Sequence, residues 1–221
     1  MSLYILYGSQ TGNAEDIARD LASRCEEQLG LTNILCDTLN SQKKTITEIK
    51  ANAKMLVVVC STTGNGDAPE NAESFWRSTK LRSAAKDLYQ GVKYAVLGLG
   101  DTNYDKFCHM GKAFHKRIGE LGGEVCMDLH CADEATGLED VVDDWVTKIL
   151  DTIKKIMLNS DEDDAAESLG AADATTDVSA ASTVFTNLTL SESAPSGEGT
   201  LQTSVTPEVD SDAVVASTES T

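Results

Sequence analysis

Several signals that would place a chain in a specialised class are missing here. No apolar run approaches 18 residues, so no transmembrane helix is expected. The first apolar stretch begins at Leu3 with no charged segment before it, so no secretory leader is read and a cytoplasmic location is expected. The six cysteines (25, 36, 60, 108, 126 and 131) have no CxxC spacing, so they read as reduced thiols, several of them buried in strands. His109, His115 and His130 lie near some of them in sequence, yet the spacing supports no metal site. Lys and Arg are absent from Asn159 onward, where 13 of the 36 acidic residues lie. The first 158 residues therefore hold 23 acids against 18 bases, and the net charge of −18 belongs mostly to the tail. Such acidity argues against nucleic acid as a partner. Residues 159–221 are dominated by Ala, Ser, Thr, Asp and Glu, which bury too little apolar surface to offset chain entropy, and are expected to be disordered. Within them Val184–Leu190 (VFTNLTL) reads either as a docking motif or as a weak strand tendency.

What remains is a domain of residues 1–158 in which apolar runs alternate with helical patterns. Leu3–Tyr7 reads as a strand. A helix follows from about Asn13 to Leu29 and stops at Gly30, and a second strand covers Thr32–Asp37. Thr45 and Glu48 have capping-box spacing for a short helix to about Ala53. Met55–Cys60 is apolar throughout, as a parallel strand buried on both faces must be. Asp67 and Pro69 open a helix through Glu73, Phe75 and Trp76. Lys93–Leu99 is a fourth strand, and a helix from about Lys106 to Leu121 ends at Gly122–Gly123. Glu124–Cys131 is the fifth strand. Thr136 and Glu139 form a second capping-box pattern, before a closing helix with Val142, Trp145, Val146, Ile149, Ile153 and Ile156 facing inward. This alternation predicts an α/β fold, a doubly wound five-stranded parallel sheet. Ligands of such sheets bind beyond the carboxyl ends of the strands.

Three loops stand at that edge. The first, Gly8-Ser9-Gln10-Thr11-Gly12-Asn13, joins a strand to a helix start, where unpaired amides and the positive end of the dipole favour an anion. It has neither the Gly-Lys-[Ser/Thr] ending of a nucleoside triphosphate site nor the Gly-x-Gly-x-x-Gly of a dinucleotide site. Small and hydroxyl residues without a cation suit a terminal phosphate monoester, although an ordinary Gly-Ser turn is the plain alternative. The second loop, Ser61-Thr62-Thr63-Gly64-Asn65-Gly66-Asp67-Ala68-Pro69, lets backbone approach a flat ligand, or is a surface turn. The third, Gly98 to Phe107, carries Tyr104 on a glycine-rich segment, suited to stacking on a planar ring, or as a lone surface tyrosine. Asp133 follows the fifth strand at the same edge.

Taken together, YGSQTGNAEDIA, STTGNGDAPENAESF and LGLGDTNYDKFCHMGKAFHKRIGELGG resemble the three FMN-binding loops of the flavodoxin family. The resemblance covers roughly residues 3–155. It is nearest to the FMN domains of diflavin reductases such as methionine synthase reductase, through the STTG-x-GD-x-P form and the FC after the tyrosine. It implies strand order 2-1-3-4-5 and FMN as cofactor. Ser9, Gln10, Thr11, Gly12 and Asn13 would hold the phosphate. Ser61, Thr62, Thr63, Gly64 and Asn65 would form the second loop, with the backbone of Gly64 near flavin N5. Leu99, Gly100, Asp101, Asn103, Tyr104 and Phe107 would form the third, with Tyr104 on the ring, and Asp133 would be the acidic residue near the flavin. Many relatives place an aromatic where this chain has Thr63, which implies weaker binding or a shifted potential. A shift of about 59 mV is a factor of ten for a one-electron couple.

The resemblance further implies a monomeric carrier that passes single electrons from an FAD- and NADPH-dependent reductase to an acceptor, methionine synthase or a haem protein, with a basic docking face. Asp67, Asp101, Asp105 and Asp133 would supply the complementary charge. No catalytic side chain is required, and without FAD and NADPH modules the chain is not expected to oxidise NADPH alone. The rival readings are an NAD(P)H-dependent quinone reductase of the same superfamily and a non-redox interaction module of receiver-like fold. The acidic tail resembles the hinge that follows such FMN domains.

Overall fold

A computed structural model describes residues 2–158. The expected disorder of 159–221, the boundary after residue 158 and the VFTNLTL motif lie outside the described residues. The elements run β1 (Ser2–Gly8), α1 (Asn13–Leu29), β2 (Ile34–Thr38), two short 3-10 turns (Leu39–Lys43 and Ile46–Glu48), α2 (Ile49–Asn52), β3 (Ala53–Ser61), α3 (Glu70–Thr79), β4 (Lys93–Gly100), α4 (His109–Glu120), β5 (Glu124–Val125), β6 (His130–Asp133) and α5 (Glu139–Leu158). All pairings in the sheet are parallel, in the order β2-β1-β3-β4, with β5 and β6 both on the outer edge of β4.

Residues alternate in direction along each central strand and are buried on both sides. Leu3, Ile5, Met55, Val57 and Leu97 pack with α1 and with Trp145, Ile149 and Ile153 of α5. Leu6, Leu56, Val58, Tyr94 and Val96 pack with Phe75 of α3 and with Met110, Phe114 and Ile118 of α4. α1 stops where expected. Gly30 takes φ 66, and the amides of Gly30 and Leu31 bond Glu26 O and Cys25 O, closing the last turn. Of the six inward positions expected on α5, five are buried and Val142 packs part-buried against them.

Four local expectations are corrected. The single edge strand Glu124–Cys131 is two strands. Tyr94 pairs with Val125 and Leu97 with His130, so three steps along β4 face five along the edge, and the two extra residues bulge out of the ladder. The bulge leaves Met127 and Leu129 packing on opposite core clusters. α4 begins at His109 instead of Lys106, because residues 101–107 are folded by local turns and Cys108 takes a left-handed backbone, φ 50. Thr45 makes no side-chain cap, and the chain there is a 3-10 turn running into the one-turn α2. Thr136 does not form the second capping box, since α5 starts only at Glu139, after Gly137 at φ 98. Among the described residues no helix is long and apolar enough to cross a membrane.

Candidate functional site

The loops after β1, β3, β4 and β6 converge at the carboxyl edge of the sheet and enclose a cavity of about 440 Å³. That lies within the roughly 300–1,000 Å³ of small-molecule sites.

Part of the cavity wall is the loop that leads into α1, through Gln10, Thr11 and Asn13. Gly12 takes φ 109, a left-handed backbone that favours glycine, and its amide donates to Ser9 Oγ at 3.0 Å. The first bond of the helix runs from Asp16 N–H to Gly12 O at 2.9 Å, and no side chain caps the helix. The amides of Asn13, Ala14 and Glu15 are thus left without intrahelical acceptors. The loop is held from behind: Ser9 N–H donates to Asn71 Oδ1 at 2.9 Å, and Glu70 N–H to Gln10 Oε1 at 3.4 Å.

The second loop is a tight hairpin. Thr63 N–H donates to Asp67 O at 2.9 Å, Asp67 N–H to Thr63 O at 2.8 Å, and Gly66 N–H to Thr63 O at 3.0 Å. These bonds leave Gly64 at the exposed tip with φ 48. The base of the loop is tied to both neighbours. Ser61 Oγ donates to Gly8 O at 3.2 Å, and Thr62 N–H donates to Leu99 O at 3.1 Å. Thr62 Oγ1 accepts from Met110 N–H at 3.1 Å, so a residue on one loop caps the helix that follows another.

The third loop carries Tyr104, 66% exposed at the cavity. Asp101 bends the chain beneath it, its Oδ1 accepting from Asn103 N–H at 2.7 Å and its carbonyl from Tyr104 N–H at 3.1 Å. Asp133 fastens this loop to β6. Its carboxylate accepts from Thr102 N–H at 3.0 Å, Thr102 Oγ1 at 2.7 Å and Ala135 N–H at 3.0 Å. The Thr102 hydroxyl is the main cause that holds the Asp133 carboxyl below its ordinary value, helped by those amides and by the Thr136 hydroxyl.

The structure brings Gln10, Thr11, Asn13, Ser61, Thr62, Thr63, Gly64, Leu99, Gly100, Asp101 and Tyr104 to the cavity wall. Ser9 and Gly12 stand behind it as the frame of the first loop, and Asn65 is on the exposed hairpin. Asn103 is exposed in the turn that Asp101 makes, and Phe107 lies under the Lys112 ammonium, 5.1 Å from its ring centroid. Asp133 does not line the cavity; its carboxylate is engaged in holding the wall. Lys106, Glu134 and Leu138 line it as well, and none of them is expected there from the sequence. Lys106 reads as the start of a helix that in fact begins later. Glu134 is signalled only by being next to Asp133, and Leu138 by being the last apolar residue before α5.

The flavodoxin family profile matches residues 5–145. Methionine synthase reductase of Bos taurus is 33% identical over 166 residues, covering 75% of this chain and 23% of that protein. NADPH-dependent diflavin oxidoreductase 1 of Xenopus laevis is 36% identical over 147 residues, covering 66% and 24%. The chain thus spans about a quarter of the length of these curated relatives. Among solved structures, a point mutant of a flavodoxin from Pseudomonas aeruginosa superposes with a TM-score of 0.55 at 28% identity, covering 70% of this chain and 99% of that one. A flavodoxin from Bacillus cereus, 18% identical with a TM-score of 0.57, covers 70% of this chain and 98% of its own and has the same fold. The cofactor is FMN, and the domain is of the flavodoxin-like electron-transfer type. The chain belongs to the flavodoxin family, as an FMN-binding domain of the diflavin-reductase kind.

Proposed function

We propose that the three loops around this cavity hold FMN and that the domain relays single electrons from an FAD- and NADPH-dependent reductase to an acceptor protein. The observation that carries the reading is that one cavity is lined both by the loop leading into the uncapped start of α1 and by a largely exposed aromatic, Tyr104. The donor set fits the cofactor. Amides of Asn13 and Ala14, with the Thr11 hydroxyl, suit a phosphate monoester, while Ser9 frames the loop through its bond with Gly12 N–H. Hydrogen bonds to such a charged group contribute about 1.5–3 kcal/mol each. Gly64, left-handed at a hairpin tip, presents backbone to the ring edge, while Tyr104 offers a face for stacking. When bound, FMN supplies the one-electron chemistry, and the protein binds, orients and partly covers it.

Asp101 and Glu134 line the cavity against one cation, Lys106, and Asp67 and Asp105 are exposed on the second and third loops, a net negative charge that suits donors and acceptors with basic docking faces. Steering of that kind raises encounter rates about 10- to 1000-fold and weakens with salt. Resemblance nominates methionine synthase as one acceptor to try. The receiver-like alternative has no support beside the flavodoxin match.

The test is to purify the chain, measure FMN released on denaturation, and follow flavin reduction by NADPH with and without an FAD-containing reductase at low and high salt. Reduction only with the reductase, slowed by salt, is expected. A chain that takes up no FMN refutes the proposal, and rapid NADPH oxidation with a quinone and no reductase would replace it by the quinone-reductase reading.

A further inference from the structure

All six cysteines are free thiols, and two that are 23 positions apart in sequence are brought together by the sheet. Cys108, fully buried at the start of α4, places its Sγ 3.4 Å from Gly98 O and 3.6 Å from Ala132 O, across the seam between β4 and β6. Cys131 on β6 is registered directly against Gly98 on β4. Partners in adjacent strands put their side chains on the same face of the sheet. That face is the one Cys108 occupies, since a Cβ built on Gly98 would lie 3.3 Å from Cys108 Cβ. With no side chain at Gly98, that face is left to the two cysteines, and the nearness of Cys131 to Cys108 shifts both thiols.

The two thiols differ in the way a reactive pair requires. Cys131 is part-exposed, and the neighbouring Cys108 thiol lowers its pKa, favouring the thiolate. Cys108 is shielded from solvent, and the neighbouring Cys131 and burial push its thiol up. Burial instead raises the thiols of Cys25, Cys36, Cys60 and Cys126.

We propose that Cys131 and Cys108 form a peroxide-oxidisable dithiol that closes to a disulfide behind the cavity. The Cys131 thiolate attacks one oxygen of hydrogen peroxide; an S–O bond forms, the O–O bond breaks, and the departing hydroxide takes a proton to become water. The Cys108 sulfur then gives up its proton and attacks the Cys131 sulfur; the S–S bond forms, the S–O bond breaks, and a second water leaves. Two thiols and one peroxide thus give one disulfide and two waters, and a dithiol reductant reverses the change. The bond would tether the start of α4 to β6 directly beneath Gly100. A Cβ on Gly100 would lie 3.1 Å from Cys108 Sγ, and Gly100 lines the cavity. The inference stands whether or not the flavin reading holds.

The test exposes the full chain to graded hydrogen peroxide at neutral pH, blocks remaining thiols with N-ethylmaleimide under denaturing conditions, and maps peptides by mass spectrometry before and after dithiothreitol. The expected product is a Cys108–Cys131 peptide pair lacking two hydrogens, reversed by dithiothreitol, with the other four cysteines blocked in full. In Cys108→Ser a dimedone adduct should appear on Cys131. Cys131→Ser, at a part-exposed position on the sheet edge, should fold and leave Cys108 fully blockable. Oxidation that begins at another cysteine, Cys131 passing to sulfinic acid without the crosslink in the parent, or oxidation of Cys108 at the parent rate in Cys131→Ser would each overturn the proposal.

Discussion

Replacing Gly111 by alanine puts two opposing effects in direct competition. Gly111 lies in the first turn of α4, with its Cα against β4. A Cβ there would lie 2.5 Å from Gly98 Cα and 3.1 Å from Gly98 N. Non-bonded carbons rest at about 3.5–4.0 Å, so the helix must withdraw by about 1 Å. Both walls of the contact are backbone, and Met110 and Phe114 on the same helix are buried, so no flexible side chain can yield instead. Overpacking of a tight core costs about 1–3 kcal/mol, and this geometry belongs at the upper end. Alanine in turn favours the helix over glycine by about 1 kcal/mol. The net is a loss of about 2 kcal/mol, or roughly 4–8 °C in Tm for a domain of this size. The cavity should suffer as well, because the Met110 N–H bond to Thr62 Oγ1 at 3.1 Å carries helix displacement to the β3 loop. Urea unfolding of the apo-domain should show a lower midpoint at unchanged slope, and an FMN titration should show weaker binding. Gly98→Ala meets Gly111 Cα at 3.2 Å and Cys108 Cβ at 3.3 Å, so its loss should be smaller. A Gly111→Ala domain as stable as the parent, or more so, refutes the reasoning, because helix propensity would then exceed the cost of the contact.

Three further outcomes follow from the same geometry. Thr62→Val removes the acceptor for Met110 N–H in a buried helix start and should cost about 1–2 kcal/mol in chemical denaturation. Tyr104→Ala, at a residue 66% exposed, should change stability by no more than about 0.5 kcal/mol yet speed FMN release, seen by stopped-flow fluorescence. Asp133→Asn removes a carboxyl whose folded-state pKa lies below the ordinary 3.8. Stability from that shift is present above the ordinary value and lost as pH falls through the folded one, so the gap between parent and variant should be full near neutrality and close below about pH 4 in acid-unfolding curves.

The legible parts of the fold are those written in near neighbours. β3 is apolar at every position from Met55 to Cys60 because it is covered on both faces, and α1 ends at Gly30 because the chain needs a left-handed turn there. The short α2, by contrast, follows a capping-box pattern whose threonine makes no cap; three residues of spacing do not ensure that the chain turns there. Tyr104 is legible as an exposed aromatic on a glycine-rich loop. The work of Asp133 is not, since an isolated acid at a strand end looks the same whether it faces a ligand or fastens a loop.

By itself the sequence determined the alternation of strands and helices, the three small-residue loops at one edge and the family they resemble, because each rests on periodicity or spacing within about a dozen residues. The tertiary structure alone decided the contacts between segments. Thr62 caps a helix 48 positions away, Asp133 holds the loop that bears Tyr104, and Glu134 and Lys106 reach the cavity. Cys131 meets Cys108 for the same reason. Parallel register sets Gly98 opposite Cys131 and Gly100 opposite Asp133, and register belongs to the pairing of strands, which no single stretch of chain contains.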